Sequence, residues 1–126
     1  MKTKIRNPAI FKIDIDTHRS KPIQRLNFRY KWLACYFPTL LPARFSVYRT
    51  KKGYHFYITP EDNQLISSKD IVLIQLALGS DWLREIRNWN RINDNFEHWN
   101  ILFSDKVKDN KVHSERYVTS YLIRRC

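Results

Sequence analysis

The chain has 126 residues, of which 43% are hydrophobic and 14% aromatic, and its formal net charge is +11. This composition supplies the core of one domain, so we expect a single domain over residues 1–126 and exclude a largely disordered chain. No apolar run approaches the ~18 residues that cross a bilayer, and no signal-like stretch follows the basic N-terminus, so we expect no membrane partner. Only two glycines are present, which excludes glycine-rich phosphate loops. Cys35 and Cys126 form no disulfide framework, which indicates a reduced, cytoplasmic setting.

The positive charge is concentrated in the first half of the chain. Residues 1–60 contain 13 Lys and Arg against two acids, whereas residues 61–126 contain ten of each. Such a basic half, rich in aromatic residues, predicts a polyanionic partner, either DNA or RNA. The alternative is a cationic surface that serves solubility or binds acidic proteins.

Alternation and helical spacing predict the elements of the first half. Ile13 and Ile15 alternate with acids in a strand over residues 9–16. Ser20 and Pro22 then begin a helix whose apolar stripe ends at Phe37. The segments 43–49 and 54–59, separated by a turn at Gly53, form the clearest hairpin of the chain.

The second half continues with two helices, over residues 70–78 after an N-cap at Ser67 or Ser68 and over residues 81–91, and a strand over residues 99–103. Residues 117–125 show helical spacing, although a strand is possible there. This order predicts an α+β fold, an RRM-like antiparallel sheet with a split βαβ arrangement and its helices packed on one face.

Two carboxylates share one face of the first predicted strand. Asp14 and Asp16 are two residues apart, so they repel each other unless a cation lies between them. Hard oxygen ligands suit Mg²⁺ or Mn²⁺, and the sequence therefore predicts a metal site at these two residues. The alternative is that both acids are exposed at the strand end and balance the positive charges of Lys12, Arg19 and Lys21.

His55 follows the hairpin turn and shares a face with Tyr57, opposite the apolar residues of the same strand. An imidazole in that position can donate to a phosphate oxygen. The alternative is a partly buried histidine that is bonded to a backbone carbonyl.

Together these patterns resemble two motifs of the archaeo-eukaryotic primases and primase–polymerases. Ile13-Asp14-Ile15-Asp16 is similar to their first motif, a hydrophobic strand with DxD, and residues 48–57 are similar to the second, where a small hydroxyl residue and a glycine precede a nucleotide-binding histidine. The resemblance covers about residues 9–105 and leaves a C-terminal extension. It implies that Asp14 and Asp16 hold the metals and that the phosphates of a nucleoside triphosphate are contacted by His55, Lys51, Lys52 and Arg49.

The third motif of that family supplies another carboxylate, and two registers compete for it here. Asp81 has a suitable spacing and would complete the catalytic set, although it also suits an N-cap. In the other register the acid is replaced by Asn88 or Asn90, and a neutral amide is a poorer metal ligand that leaves the site one charge short.

Arginines on the predicted helices are candidates for binding nucleic acid. Arg84, Arg87 and Arg91 recur at helical spacing, and Arg25 and Arg29 lie on the polar side of the first helix. The row from Arg84 either meets phosphates or pairs with Glu85 and Asp94 on a solvated surface. Trp82, Ile86 and Trp89 form a stripe that is typical of a core face.

Three hypotheses follow. The first is a minimal primase-like nucleotidyltransferase that uses two metals. The second is a catalytically incomplete nucleic-acid-binding or replication-initiator protein of the same fold, from a small mobile genetic element. The third is a DxD metal-dependent nuclease.

Overall fold

The computed structural model describes residues 10–15, 21–62, 66–101, 106–108, 111–113 and 115–125. The fold is α+β, as predicted, with a four-stranded antiparallel sheet and three α-helices. In chain order the elements are β1 (Phe11–Ile15), α1 (Pro22–Tyr36), a 3₁₀ turn (Pro38–Leu40), β2 (Ala43–Arg49), β3 (Tyr54–Pro60), α2 (Ser68–Ala77), α3 (Trp82–Asn93), β4 (Lys106–Lys108), β5 (Lys111–His113) and β6 (Arg116–Ile123).

The sheet has the order β1-β3-β2-β6, and each neighbouring pair is antiparallel. Because β3 lies between β1 and β2, the first three strands and α1 form the expected split βαβ unit. The helical spacing of residues 117–125 is misleading, since β6 is a strand beside β2. Part of the predicted C-terminal extension therefore belongs to the main sheet, while β4 and β5 form a separate two-stranded pair.

One face of the sheet carries the core. The buried strand residues alternate as period-2 geometry requires and are Phe11, Ile13, Phe45, Val47, Phe56 and Ile58. Helix α1 covers this face with Leu26, Tyr30 and Ala34, and α2 adds Ile71 to the same cluster. The Tyr30 ring lies 5.0 Å from that of Phe45, and its hydroxyl donates to the Leu40 carbonyl oxygen at 2.6 Å. The helices therefore leave the opposite face of β2 and β3 to the site residues.

Local signals predicted the helix ends unevenly. Ser67 begins α2, because its Oγ accepts a hydrogen bond from Asp70 N at 3.2 Å. Helix α1 instead begins after Lys21, which has φ 60° and makes no side-chain cap bond, while the expected cap Ser20 lies outside the described residues. Phe37, predicted as the last residue of the apolar stripe, is the C-cap of α1 and is 54% exposed. The buried residue of the last turns is Ala34 instead. Cys35 is also exposed.

Helix α3 is confirmed but its orientation is reversed from the prediction. Trp82 is 61% and Ile86 47% exposed, so the apolar stripe is not core. The buried side of α3 is polar and consists of Arg84, Glu85 and Asn88. Residues 99–101 are not a strand, and the rest of the strand predicted over 99–103 lies outside the described part. Among the helices described, none is long and apolar enough to cross a membrane.

Candidate functional site

The structure pairs two of the predicted site residues across neighbouring strands. Asp14 of β1 is directly opposite His55 of β3, and the Nε2 atom of His55 lies 3.5 Å from Oδ1 of Asp14. Both side chains lie on the face of the sheet opposite the core, as alternation predicts. Asp16 lies outside the described residues.

Glu115 occupies the other side of the imidazole ring. Its Oε2 atom lies 2.8 Å from Nδ1 of His55, and the Tyr57 hydroxyl donates to both carboxylate oxygens at 2.8 and 2.9 Å. His55 therefore has a carboxylate at each nitrogen and is 4% exposed. The expected backbone-carbonyl partner for a buried histidine is replaced by two acids.

Glu115 is the site residue that sequence reasoning missed. It lies 60 positions from His55 in the chain and directly precedes β6, in a region where helical spacing was the stronger signal. No local pattern marks a carboxylate that reaches its partner across the sheet. The sequence also allowed a strand over residues 117–125, and that alternative would have placed the residues just before it, including Glu115, beside the sheet.

The outer edge of β1 is closed by groups from α2, α3 and the loop between them instead of by another strand. Asp14 N donates to Ser80 Oγ at 3.0 Å, and the Asp81 N–H donates to the Asp14 carbonyl oxygen at 2.7 Å. Two residues earlier, Gln75 Oε1 accepts from Lys12 N and Arg84 Nη1 donates to the Lys12 carbonyl, both at 2.9 Å. Asp81 is thus the backbone neighbour of Asp14 on one side, as His55 is on the other.

A buried polar cluster holds this edge in place. Its centre is the fully buried carboxylate of Glu85, which accepts hydrogen bonds from four side chains: Gln75, Ser80, Arg84 and Asn88. Asn100 extends the cluster to Arg84 and Gln75. Within the described residues, every buried side-chain nitrogen and oxygen has a partner. A fully satisfied network of this kind rigidifies its surroundings.

This cluster corrects the role expected for Arg84. Its side chain is 5% exposed and bonds to carbonyls, to Asn100 and to Glu85, so it does not belong to an exposed cationic row. Asn88 is also fully buried and donates to Glu85, so it does not stand in for a metal-binding acid. Asn90 is exposed on α3.

The remaining predicted arginines are either exposed or bonded to internal acceptors. Arg91 donates to Asn88 Oδ1 at 2.9 Å, whereas Arg87 is exposed. On α1, Arg25 is exposed, and Arg29 donates to the Leu78 carbonyl at 3.3 Å. Of the five arginines, Arg29, Arg84 and Arg91 therefore donate to internal acceptors, and Arg25 and Arg87 are exposed on the helix surfaces.

The hairpin turn places the predicted phosphate-binding cations at the end of the sheet where Asp14 lies. Thr50 Oγ1 accepts from Gly53 N at 2.9 Å and closes the turn. Arg49, Lys51 and Lys52 are exposed around it. Because Ile15 pairs with Tyr54, these cations, the C-terminal end of β1 and the start of β6 meet at one end of the sheet.

Burial changes the ionisation of the groups beside His55. Burial, with the nearby positive charge of Arg84, lowers the pKa of Lys12, and Glu115 opposes this change. Burial and the hydrogen bond to Glu115 raise the pKa of Tyr57. Burial also lowers the pKa of the Arg84 guanidinium, against the attraction of Glu85 and Asp14. Positively and negatively charged side chains are therefore packed together with Tyr57 on this part of the sheet.

The donors around Asp14 suit a hard cation only in part. Carboxylate oxygens are what Mg²⁺ and Mn²⁺ prefer, and the side chain of Asp14 is 26% exposed. The carboxylates of Asp14 and Glu115 are on opposite sides of the imidazole, which separates them. In the described part of the chain no three His, Cys, Asp or Glu side chains are grouped to hold a metal ion. A complete site would therefore need Asp16.

A shallow cavity of about 470 Å³ lies at the opposite end of the strands and is lined by Pro42, Glu61, Asp62, Leu122, Arg124 and Arg125. It contains none of the predicted site residues.

Comparison of the chain with family models, with curated proteins and with solved structures finds no match. The site must therefore be interpreted from its own geometry.

Proposed function

We propose that the protein is a primase-like replication protein that carries out metal-dependent nucleotidyl transfer at the C-terminal end of β1. One observation supports this most directly. Asp14 is bracketed by His55, across the sheet, and by the Asp81 backbone, at 2.7 Å from its carbonyl oxygen. These three residues are far apart in the sequence; the resemblance to primases implies a role for Asp14 and His55 and offers Asp81 in one of its two registers for the third acid.

Each group has a role in this proposal. Asp14, Asp16 and Asp81 would hold Mg²⁺ or Mn²⁺, which supplies neutralisation of the negative charge on the reacting phosphates. Lys51, Lys52 and Arg49 would attract the triphosphate to this end of the sheet. Glu115 is a positioning residue, since it fixes the orientation of the His55 ring through Nδ1. The bonds from Ser80 and Arg84 hold the β1 backbone, and so the direction of the Asp14 side chain.

A second candidate function rests on the surroundings of His55. Both ring nitrogens face carboxylates, and the side chain is 5% exposed, so the ring has no free nitrogen for a phosphate in this arrangement. The corresponding function is a nucleic-acid-binding protein of the same fold that does not incorporate nucleotides. The two functions make opposite predictions in one assay.

The test is extension of a labelled primer on a single-stranded template, with ribo- or deoxynucleoside triphosphates and Mn²⁺ or Mg²⁺. We expect incorporation that requires the metal and falls more than ~100-fold in Asp14→Asn and Asp81→Asn, because metal stabilisation of a transition state amounts to several kcal/mol. Asp94→Asn is the matched control, since Asp94 is an exposed acid at the other end of α3. Circular dichroism checks the fold of each variant.

One result would reject the transfer activity and another would reject the proposed site. Wild-type protein that binds the template but incorporates nothing with either metal supports the second candidate. Incorporation that persists in Asp14→Asn removes the proposed site. Shortening of the labelled strands with metal alone would instead assign a nuclease.

A further inference from the structure

A row of tyrosine rings crosses the sheet on the face opposite the core. Tyr57 of β3, Tyr48 of β2 and Tyr117 of β6 lie side by side, with ring centroids 5.3 Å apart for Tyr48 and Tyr57 and 5.6 Å apart for Tyr48 and Tyr117. None of the three belongs to the core cluster. Tyr117 is 62% exposed. We call this row the tyrosine platform.

An irregularity in β6 puts the third ring in the row. Thr119 and Tyr121 pair with the core-facing residues of β2, so strict alternation would turn Tyr117 to the core face as well. The register shifts at Val47/Tyr48, and this bulge brings Tyr117 opposite Tyr48. Bulges re-aim side chains in this way and are frequent beside functional sites. The Tyr117 ring that the bulge turns outward is exposed and does not contribute to the packing of the core.

Hydrogen bonds hold both ends of the platform. The Tyr117 hydroxyl donates to Ser120 Oγ at 3.0 Å, and Ser120 Oγ lies 3.2 Å from Ser46 Oγ. At the other end the Tyr57 hydroxyl is fixed by Glu115. The rings are therefore preorganised before any ligand arrives, which reduces the entropy lost on binding.

Positive charge also lies on the platform face. Arg44 shares this face of β2 with Tyr48 by alternation, whereas Arg49 and Arg116, which are opposite each other on neighbouring strands, belong to the core face. The side chain of Arg44 is 74% exposed, with Glu61 Oε1 3.8 Å from its Nε atom, and Lys52 is exposed in the turn that follows β2. The complementary ligand is thus an anion that carries flat groups.

We propose that the tyrosine platform binds single-stranded nucleic acid, with bases stacked on Tyr117 and Tyr48 and phosphates directed to Arg44 and Lys52. Bases that are free of a duplex stack on aromatic side chains of open antiparallel sheets, and cations then follow the backbone. If the bound strand is the template for nucleotidyl transfer, this inference rests on the proposed function. The binding itself does not require the transfer activity.

The test measures binding of fluorescein-labelled single-stranded DNA and RNA 12-mers by fluorescence anisotropy. Loss of one stacked base raises Kd by about 5- to 150-fold, and we expect a change in this range for Tyr117→Ala. Tyr117→Phe keeps the ring and should stay within about 2-fold of wild type. Tyr36→Ala is the matched control, because Tyr36 is an equally exposed tyrosine on α1, behind the opposite face of the sheet.

The phosphate contact is tested through salt. Arg44→Gln should reduce the slope of log Kd against log salt by about 0.7, and Lys31→Gln, at an exposed position of α1, should leave it unchanged. Wild-type affinity in Tyr117→Ala, or equal losses in Tyr117→Ala and Tyr36→Ala, would overturn the platform. Equal affinity for a duplex of the same sequence would do so too. These results do not depend on nucleotide incorporation, so a failed platform and a failed transfer activity are distinguishable.

Discussion

The substitution Glu85→Gln tests whether the buried polar cluster fixes the edge of β1. Glu85 is fully buried and accepts from four side chains, and its charge partner is the buried guanidinium of Arg84. The amide of glutamine has a single acceptor oxygen, so the NH₂ group would face donors, and Arg84 would keep an uncompensated charge. Removal of one partner from a buried ion pair costs about 3–5 kcal/mol.

That cost is large for a domain of this size, whose free energy of unfolding is expected to be about 5–15 kcal/mol. We expect the urea midpoint, followed by circular dichroism at 222 nm, to fall accordingly, and Tm to fall by about 10–20 °C. Arg84→Met alone should destabilise similarly, and the double variant should lose at least about 2 kcal/mol less than the sum. Glu97→Gln, at an exposed position, should stay within about 0.5 kcal/mol of wild type. A loss below about 1 kcal/mol for Glu85→Gln would refute the reasoning.

Three further predictions concern separate features. Gly79 has φ +94°, and a Cβ there would overlap the guanidinium of Arg29, so Gly79→Ala should lower the free energy of unfolding by about 1–2 kcal/mol, measured in urea; a neutral result would contradict the strain. Burial raises the pKa of Tyr121 to about 12, so the folded state holds this proton more tightly than the unfolded state. Its stabilising contribution is present below pH 10 and is lost as the pH rises towards 12, and Tyr121→Phe should flatten the alkaline fall of stability. Glu115→Gln should destabilise by about 1.5–3 kcal/mol through the lost charge-assisted bonds and broaden the imidazole signals of His55 in NMR, whereas unchanged signals would remove its positioning role.

Short-range patterns predicted the strands and the pairing of the site. The alternation around Ile13 and the turn at Gly53 are local, and they were sufficient to expect Asp14 and His55 on one face, as the register now places them. The resemblance to primases offered Asp81 as one of two registers for a third acid, and the backbone N–H of Asp81 donates to the Asp14 carbonyl oxygen. Local rules predict which face of a strand a residue occupies, because alternation depends only on neighbours in the chain, whereas the pairing of β1 with β3 joins distant segments.

The reversed orientation of α3 could not be predicted in this way. Counting apolar residues assigned Trp82 and Ile86 to the core, whereas the helix buries Arg84 and Glu85. Burial of those charges is possible only because α2, Asn100 and the β1 backbone supply partners. These partners are distant in the sequence, so the periodicity of α3 cannot predict that Arg84 and Glu85 are buried. The same applies to Glu115, and to the register shift that turns Tyr117 outward.

The closed edge of β1 has a consequence for how the molecule meets other chains. The N–H and C=O groups of Lys12 and Asp14 that point away from β3 are already taken by side chains and by the Asp81 backbone. A passing extended peptide, or a second unfolded copy, finds no template at these two residues on which to add a strand. The polar cluster thus acts as a barrier to intermolecular sheet growth beside the proposed site, in addition to its internal role.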